Sequence, residues 1–453
     1  MTDRGQAWQE HFKQHSVSVE AAIANINPGD RIWISLGQQV GVLTAALIGH
    51  AKPDTDPIWV TVAVGESLDW YVGDIVDQIR YNVLFGSVGT RDAINDFRAD
   101  FTPWWIWGGH KSRDENRPGA EPIDVSLIRV TPPNARGWCC IGNTHWDVLK
   151  TTRMARTVIA VVSDLVPQTF GDTWIHASQI DWFVDNSADE LAEAARFHDL
   201  VKLMLAGPVA PADVAMAAHV ASLVNDGDTV QVGTGSTTSA IVKAGALANK
   251  NDLGYFAELT VPGLVDLARQ GVINGSRMAT HPGKFVTTMA GMLPDETAFI
   301  DQNPMFEFYS VDYMHDPAVI ARNDNMVAIN NALSIDLTGQ IAAGNIGPRI
   351  WSGTGGQLAY AMGAFLAKGG RSITVLPSTN SDGSLSRIVA QFPAGQIVTV
   401  PRDIADIVVT EHGVAHLLNK TQRQRAEQLI SIAHPDHRPE LTRQAAELYG
   451  LGR

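Results

Sequence analysis

The sequence is poor in cysteine: of 453 residues only the neighbours Cys139 and Cys140 carry a thiol. Adjacent cysteines seldom bridge each other, and two thiols make neither a disulfide framework nor a four-ligand zinc site. Both are expected as partly buried thiols. Long apolar runs are missing too. Ile58–Val64 and Thr157–Val162 are the longest strand-like stretches, well short of the roughly 18 residues that cross a bilayer. The amino-terminal segment MTDRGQAWQEHFKQHSVS has no apolar core of the kind a secretory signal needs, so a soluble, cytoplasmic protein with no membrane partner is expected. Charged residues are only 18% of the chain and the net charge is −14. That balance excludes a general nucleic-acid binder, which needs clustered Lys and Arg. A small anionic ligand stays compatible, because local geometry overrides net charge. Also absent are a phosphate loop ending in Gly-Lys-Ser/Thr, a CxxC pair and a Gly-x-Ser-x-Gly elbow. His11 and His15 stand one helical turn apart and read as an exposed helix face, so no metal site is expected.

What is present is apolar material, 45% of residues, enough for a large core and incompatible with disorder of the whole chain. The length favours two domains. Short β-rich runs (Arg31–Leu36, Trp59–Val64, Asp124–Val130, Val158–Val162, Thr229–Val232, Met326–Ile329, Ser372–Leu376, Ile397–Val400) alternate with amphipathic candidates such as Ala188–Met204, Val214–Val224 and Gln357–Ala367. This alternation predicts an α/β fold, open and with largely parallel sheets covered by helices on both faces. There is also an internal echo. Ile26–Gly37 (INPGDRIWISLG) aligns with Val224–Gly235 (VNDGDTVQVGTG) at a constant offset of 198 residues. Each copy runs from an Ala-rich helix through a Gly-Asp turn into a strand and a helix-opening glycine. Gly207–Asp213 (GPVAPAD) reads as a linker just before the second copy. Two related α/β domains, 1–210 and 211–453, are therefore expected.

Three places can carry chemistry. Gly233-Thr-Gly235 follows a strand and opens a helix, but Thr238 replaces the third glycine of a dinucleotide fingerprint, a weak signal. Ser352–Gln357 (SGTGGQ) leads into a helix; its glycines allow close backbone approach and its N–H groups suit an anion or oxyanion. A tight turn before a helix is the alternative. Asp252–Leu259 (DLGYFAEL) places the Glu258 carboxylate at the end of an apolar strand, where ligand sites lie in doubly wound folds. A structural, paired acid is the competing reading.

Beyond these, a series of ordered motifs resembles the acetyl-CoA hydrolase/transferase family, the class I CoA-transferases. The motifs are IDVSLIRVTPP (123–133), GWC (137–139), PQTFGDTWIHAS (167–178), NDNMVAINNA (323–332), DLTGQ (336–340), SGTGGQ (352–357), LPST (376–379), SRIV (386–389), VTEHG (409–413) and IAHP (432–435). The likeness runs from about residue 12 to about residue 440 and implies a tandem pair of related open α/β domains. It implies that Glu258 is a covalent nucleophile in a ping-pong exchange. The carboxylate attacks an acyl-CoA thioester to give an acyl–glutamyl anhydride and CoA thiolate. The thiolate then attacks the glutamyl carbonyl, leaving glutamyl-CoA, and a second carboxylic acid reverses the steps. On the same resemblance Gly355 and Gly356 are oxyanion donors, and Glu411 is an acid near the site that orients substrate or water. Gly233 and Gly235 shape the pocket floor, while Asn330 and Gly353 join them around CoA. CoA is substrate and product, no permanently bound cofactor is implied, and the partners are acyl-CoA and small carboxylic acids. A homodimer is expected on general grounds. The runner-up activity is acyl-CoA hydrolysis through the same intermediate; a non-catalytic CoA or sugar-phosphate sensor is a third reading.

The chain also departs from the family pattern. Leu259-Thr-Val-Pro-Gly263 follows the nucleophile position where relatives carry a polar or acidic residue before the glycine. Ala359-Tyr360 replaces an acidic–aromatic pair, and FTPWWIWGGH (101–110) is unusually aromatic. Trp104, Trp105 and Trp107 either reshape the acyl pocket for a bulkier or aromatic group or serve as packing and interface residues.

Overall fold

The computed structural model describes residues 7–38, 41–64, 77–185 and 207–451. The fold is α/β, and the chain divides into two compact units. One comprises Met1–Val201 with Thr288–Asp312, the other Lys202–Thr287 with Tyr313–Arg453.

The first unit holds a sheet built on β1 (Arg31–Ile34), β2 (Ile58–Val64), β3 (Ile79–Phe85), β4 (Val125–Val130), β5 (Thr157–Val162) and β6 (Trp182–Asp185). Their order is β6-β5-β4-β1-β2-β3, with the two-residue strands Ser16–Val17 and Asp100–Phe101 at the edges, and every pairing is parallel. Parallel strands are covered on both faces, which is why β5 reads TVIAVV and is buried nearly throughout. A core cluster including Ile128, Val158, Ala160 and Phe183 fills one side of this sheet.

In the second unit β7 (Thr229–Val232), β8 (Gly254–Leu259), β9 (Phe285–Met289), β10 (Met326–Asn331), β11 (Arg371–Val375) and β12 (Ile407–Thr410) take the order β12-β11-β10-β7-β8-β9. That is the first unit's order, strand for strand. A short antiparallel strand, β13 (Gly413–His416), is added beside β12. The helices Gln422–Ser431 and Arg438–Tyr449 contribute Leu429, Leu441 and Ala445 to a core with Ile335, Leu376 and Leu417.

The echo seen in the sequence has a physical counterpart in the turn before each first strand. Asn27 N donates to Asp30 Oδ2 at 2.8 Å and Asn225 N donates to Asp228 Oδ2 at 2.6 Å. Between them Gly29 and Gly227 take φ of 82° and 83°, a left-handed conformation that glycine adopts without strain. Each aspartate is then met by an arginine leading into the matching strand: Arg156 on Asp30 and Arg371 on Asp228.

Elsewhere the structure departs from the sequence reading. Ile397–Val400 forms no strand. Ile397 and Val398 lie at the surface, 58% and 37% exposed, and only Val400 makes an isolated bridge, to Ile341. Of the expected linker Gly207–Asp213, the last three residues already belong to the helix Pro211–Leu223, with Pro211 in its first turn and Asp213 Oδ2 accepting from Ala210 N. The helical candidate Ala188–Met204 falls outside the described residues apart from its position in the sequence. No helix among the described residues is long and apolar enough to cross a membrane.

Candidate functional site

The run Gly254–Leu259 forms β8 beside the central strand β7. Tyr255, Phe256 and Ala257 are wholly buried, and the strand emerges at its carboxyl end with Glu258, whose side chain is 17% exposed. Tyr255 stacks on Phe285 at 4.2 Å between ring centroids, and Thr287 Oγ1 donates to the Glu258 carbonyl at 3.0 Å. The backbone carrying the carboxylate is thus fixed from the neighbouring strand.

The side chain meets a group that no sequence motif pointed to. His315 Nε2 lies 2.8 Å from Glu258 Oε2, and the imidazole is completely buried. It sits between the short helices Val311–Met314 and Pro317–Ile320. The second of these is started by Asp316, whose Oδ1 accepts from Ala318 N, and by Pro317 at its first position. A lone histidine 57 residues from its partner has no spacing signature, so only the fold reveals it.

The expected glycine turn arrives at the same place. Gly356 directly precedes α1 (Gln357–Leu366), and a Cβ there would stand 2.5 Å from His315 Nε2 and 2.6 Å from Glu258 Oε2. The backbone comes so close to the carboxylate that a side chain has no room. Gly355 takes φ +58°, and Gly353 packs against Gly344. On the first turn of α1, Tyr360 is fully buried with its ring edge on His315, centroids 5.3 Å apart. Burial, and then the Glu258 carboxylate, pushes the phenols of both Tyr360 and Tyr255 well above their usual value. Tyr255 Oη donates to Leu259 O at 2.6 Å, whereas Tyr360 Oη and Gln357 Nε2 are buried without a hydrogen-bond partner among the described residues.

At the ends of β7 and β10, where the strand order reverses, Gln231 and Asn330 exchange two amide hydrogen bonds of 3.0 and 2.9 Å. A Cβ at Gly233 would collide with Asn330 and one at Gly235 with Asn331. Gly233, Gly235 and Asn330 are therefore together, with the Asn330 amide committed to Gln231. Glu411, just beyond β12, accepts from Ser378 N at 2.9 Å and from Ser378 Oγ, with His412 Nε2 at 3.6 Å. The motif DLTGQ is a turn: Asp336 Oδ1 accepts from Thr338 N, Thr338 Oγ1 and Gln340 N, and Gly339 takes φ +95°.

In the first unit Trp104 is a core residue, its ring 4.8 Å from Trp33 and 4.9 Å from His110, over Gly109 where a Cβ would overlap it. Trp105 and Trp107 meet edge to face at 4.9 Å. His110 Nε2 and Trp33 Nε1 converge on buried Asp147. Burial, aided by Cys140, pushes the Cys139 thiol up to about 12, which leaves it without thiolate character at neutral pH. No three His, Cys, Asp or Glu among the described residues gather as metal ligands.

Comparison with known proteins adds a second line of observation. Residues 1–191 match the acetyl-CoA hydrolase/transferase N-terminal domain and residues 296–445 the corresponding C-terminal domain. Glu258 lies between the two matched stretches. The chain is 37% identical over 438 residues to a 4-hydroxybutyrate coenzyme A transferase of Clostridium kluyveri, covering 96% of this chain and 98% of that protein. It is 32% identical over 442 residues to a succinyl-CoA:cyclohexane-1-carboxylate CoA transferase of Geobacter metallireducens, covering 98% and 97%. The solved structure of RipA from Yersinia pestis superposes with a TM-score of 0.85 at 27% identity, covering 98% of this chain and 99% of that one.

Proposed function

The chain belongs to the acetyl-CoA hydrolase/transferase family, and from that premise we propose that it transfers CoA between an acyl-CoA and a carboxylic acid through a glutamyl-CoA thioester on Glu258. The observation that carries this reading is the carboxylate itself: a partly exposed glutamate at the carboxyl end of a central strand, touching a buried imidazole and a glycine that opens a helix. Such a position suits a nucleophile, because the backbone is fixed and the tip of the side chain is accessible.

In the first step a Glu258 oxygen bonds to the thioester carbonyl and the CoA thiolate leaves, giving a mixed anhydride. Thiolate then attacks the glutamyl carbonyl, the donor acid departs, and the glutamyl-CoA thioester remains. The acceptor carboxylate runs the same two steps backwards. The thioester is exchanged throughout, so no net hydrolysis or redox change is required. The donor and acceptor named for the relatives, 4-hydroxybutyrate and a cyclohexane carboxylate among them, support a small or medium carboxylic acid as acceptor. We assign the nucleophile-bearing half to residues 211–453, with Gly355 and Gly356 donating to oxyanions, Gly233, Gly235, Asn330 and Gly353 lining the CoA side, and Glu411 orienting substrate.

Incubation with acyl-CoA alone followed by borohydride and peptide mass spectrometry tests the pathway. Reduction is expected at Glu258, and Glu258→Ala is expected to lose transfer by at least about a thousand-fold, as removal of a covalent nucleophile does. An unmodified Glu258 peptide, with Glu258→Ala transferring normally, would overturn it. Steady thioester loss with no exchange onto an added acid would mark a hydrolase working through the same intermediate.

A further inference from the structure

We propose that His315 is a catalytic residue, whose Nε2–H stabilises the oxyanion formed on Glu258 Oε2 each time the glutamyl carbonyl is attacked; the inference rests on Glu258 being the covalent nucleophile. His315 Nε2 is 2.8 Å from Oε2. That is inside the range of 2.7–3.1 Å at which a donor serves an oxyanion. A carboxylate accepts only, so the hydrogen of this bond resides on Nε2. The ring is completely buried, held edge-on by Tyr360 and pressed by the Gly356 backbone. The donor is therefore fixed before the reaction and works in a medium where a hydrogen bond is stronger than in water.

The reaction follows the two carboxylate oxygens separately. Oε1 attacks the acyl-CoA carbonyl and becomes the bridging oxygen of the anhydride. Oε2, held by His315, becomes the glutamyl carbonyl oxygen. When the CoA sulfur bonds to Cδ, the C=O pair moves onto Oε2. Collapse restores the carbonyl and expels the donor acid with Oε1. Attack by the acceptor carboxylate on glutamyl-CoA loads Oε2 a second time and expels thiolate. Nucleophiles and leaving groups are anions throughout, so the imidazole keeps its proton and acts as a donor, not as a general base.

Two variants of similar volume test the assignment: His315→Leu, which removes the donor, and His315→Gln, whose amide N–H reaches about as far as Nε2. In single-turnover mixing with acyl-CoA, His315→Leu is expected to form glutamyl-CoA about a hundred-fold more slowly, the loss typical of one oxyanion donor, while acyl-CoA binding stays within about threefold. His315→Gln is expected to recover at least about tenfold of that loss. Water attack on glutamyl-CoA passes through the same Oε2 oxyanion, so slow hydrolysis falls in step with transfer and their ratio is unchanged. That ratio does not depend on how much of a variant folds. Formation of glutamyl-CoA by His315→Leu at the wild-type rate, or a rise in the ratio of hydrolysis to transfer, overturns the proposal and leaves His315 as a packing residue. Failure of wild-type Glu258 to be trapped at all instead removes the covalent reading beneath it.

Discussion

At the scale of single residues, the candidate site is a close meeting of three groups from distant parts of the chain: Glu258, His315 and Gly356. Their neighbour Tyr360 pays out a measurable consequence. Its hydroxyl is buried without a partner among the described residues, and its phenol is pushed well above the usual value by burial and then by Glu258. A folded-state value above the unfolded one, near 10, means the folded protein retains a proton that the unfolded chain releases. The associated stability is full below about pH 10 and is lost as pH rises toward the folded value, at roughly 1.4 kcal/mol per pH unit for each such group. Tyr360→Phe is therefore expected to make the alkaline decline shallower between about pH 10 and 11.5, leaving the contribution of Tyr255. At pH 8 it is expected to be neutral or stabilising by about 1 kcal/mol, because an orphaned hydroxyl is removed. Urea midpoints at the two pH values check both signs. Glu258 and the glycine turn were legible because a carboxylate ending an apolar strand and a Gly-Gly pair opening a helix are local patterns. His315 was not, since its meaning arises from a contact across 57 residues.

At the scale of elements, many strands were readable from β-branched runs, and the error at Ile397–Val400 has a cause. An apolar run becomes a strand only where an edge is available along its length; here the chain leaves a turn at Gly395, φ +81°, with Ile397 and Val398 exposed, and only its buried end, Thr399 and Val400, bonds to Ile341. The Asn-x-x-Asp turns before β1 and β7 were legible as an echo, but their arginines, which stand just before β5 and at the start of β11, were not. In the second unit this pair is well enclosed, with Asp228 5% and Arg371 17% exposed, and burial pushes the Asp228 carboxyl up against the opposing pull of Asn225 and Arg371. Asp228→Ala leaves the guanidinium buried without its partner and the Asn225 turn without its acceptor. A loss of about 3–5 kcal/mol is expected by denaturant unfolding, as for other broken buried pairs. Asp30→Ala is expected to cost less, because Arg156 is half exposed.

At the scale of the whole molecule, two units share one strand order, and the repeat was anticipated from twelve aligned residues. What those residues did not disclose is the interleaving of the chain, with Thr288–Asp312 counted in the first unit. The repeat also fixes a correspondence between strand tips. Arg31 pairs with Trp59 as Thr229 pairs with Gly254. Four residues further along each second strand stand Ala63 and Glu258. The position that offers a carboxylate in one copy is a buried methyl group in the other. Stoichiometry follows from this asymmetry. On the proposed mechanism only the copy that carries Glu258 can form a thioester, so titration with acyl-CoA in the absence of acceptor is expected to load no more than one thioester equivalent per chain, read as protein-bound CoA by intact mass. A second equivalent would mean that the copies are chemically alike, and the loading count therefore measures how far two halves of common pattern have parted in function.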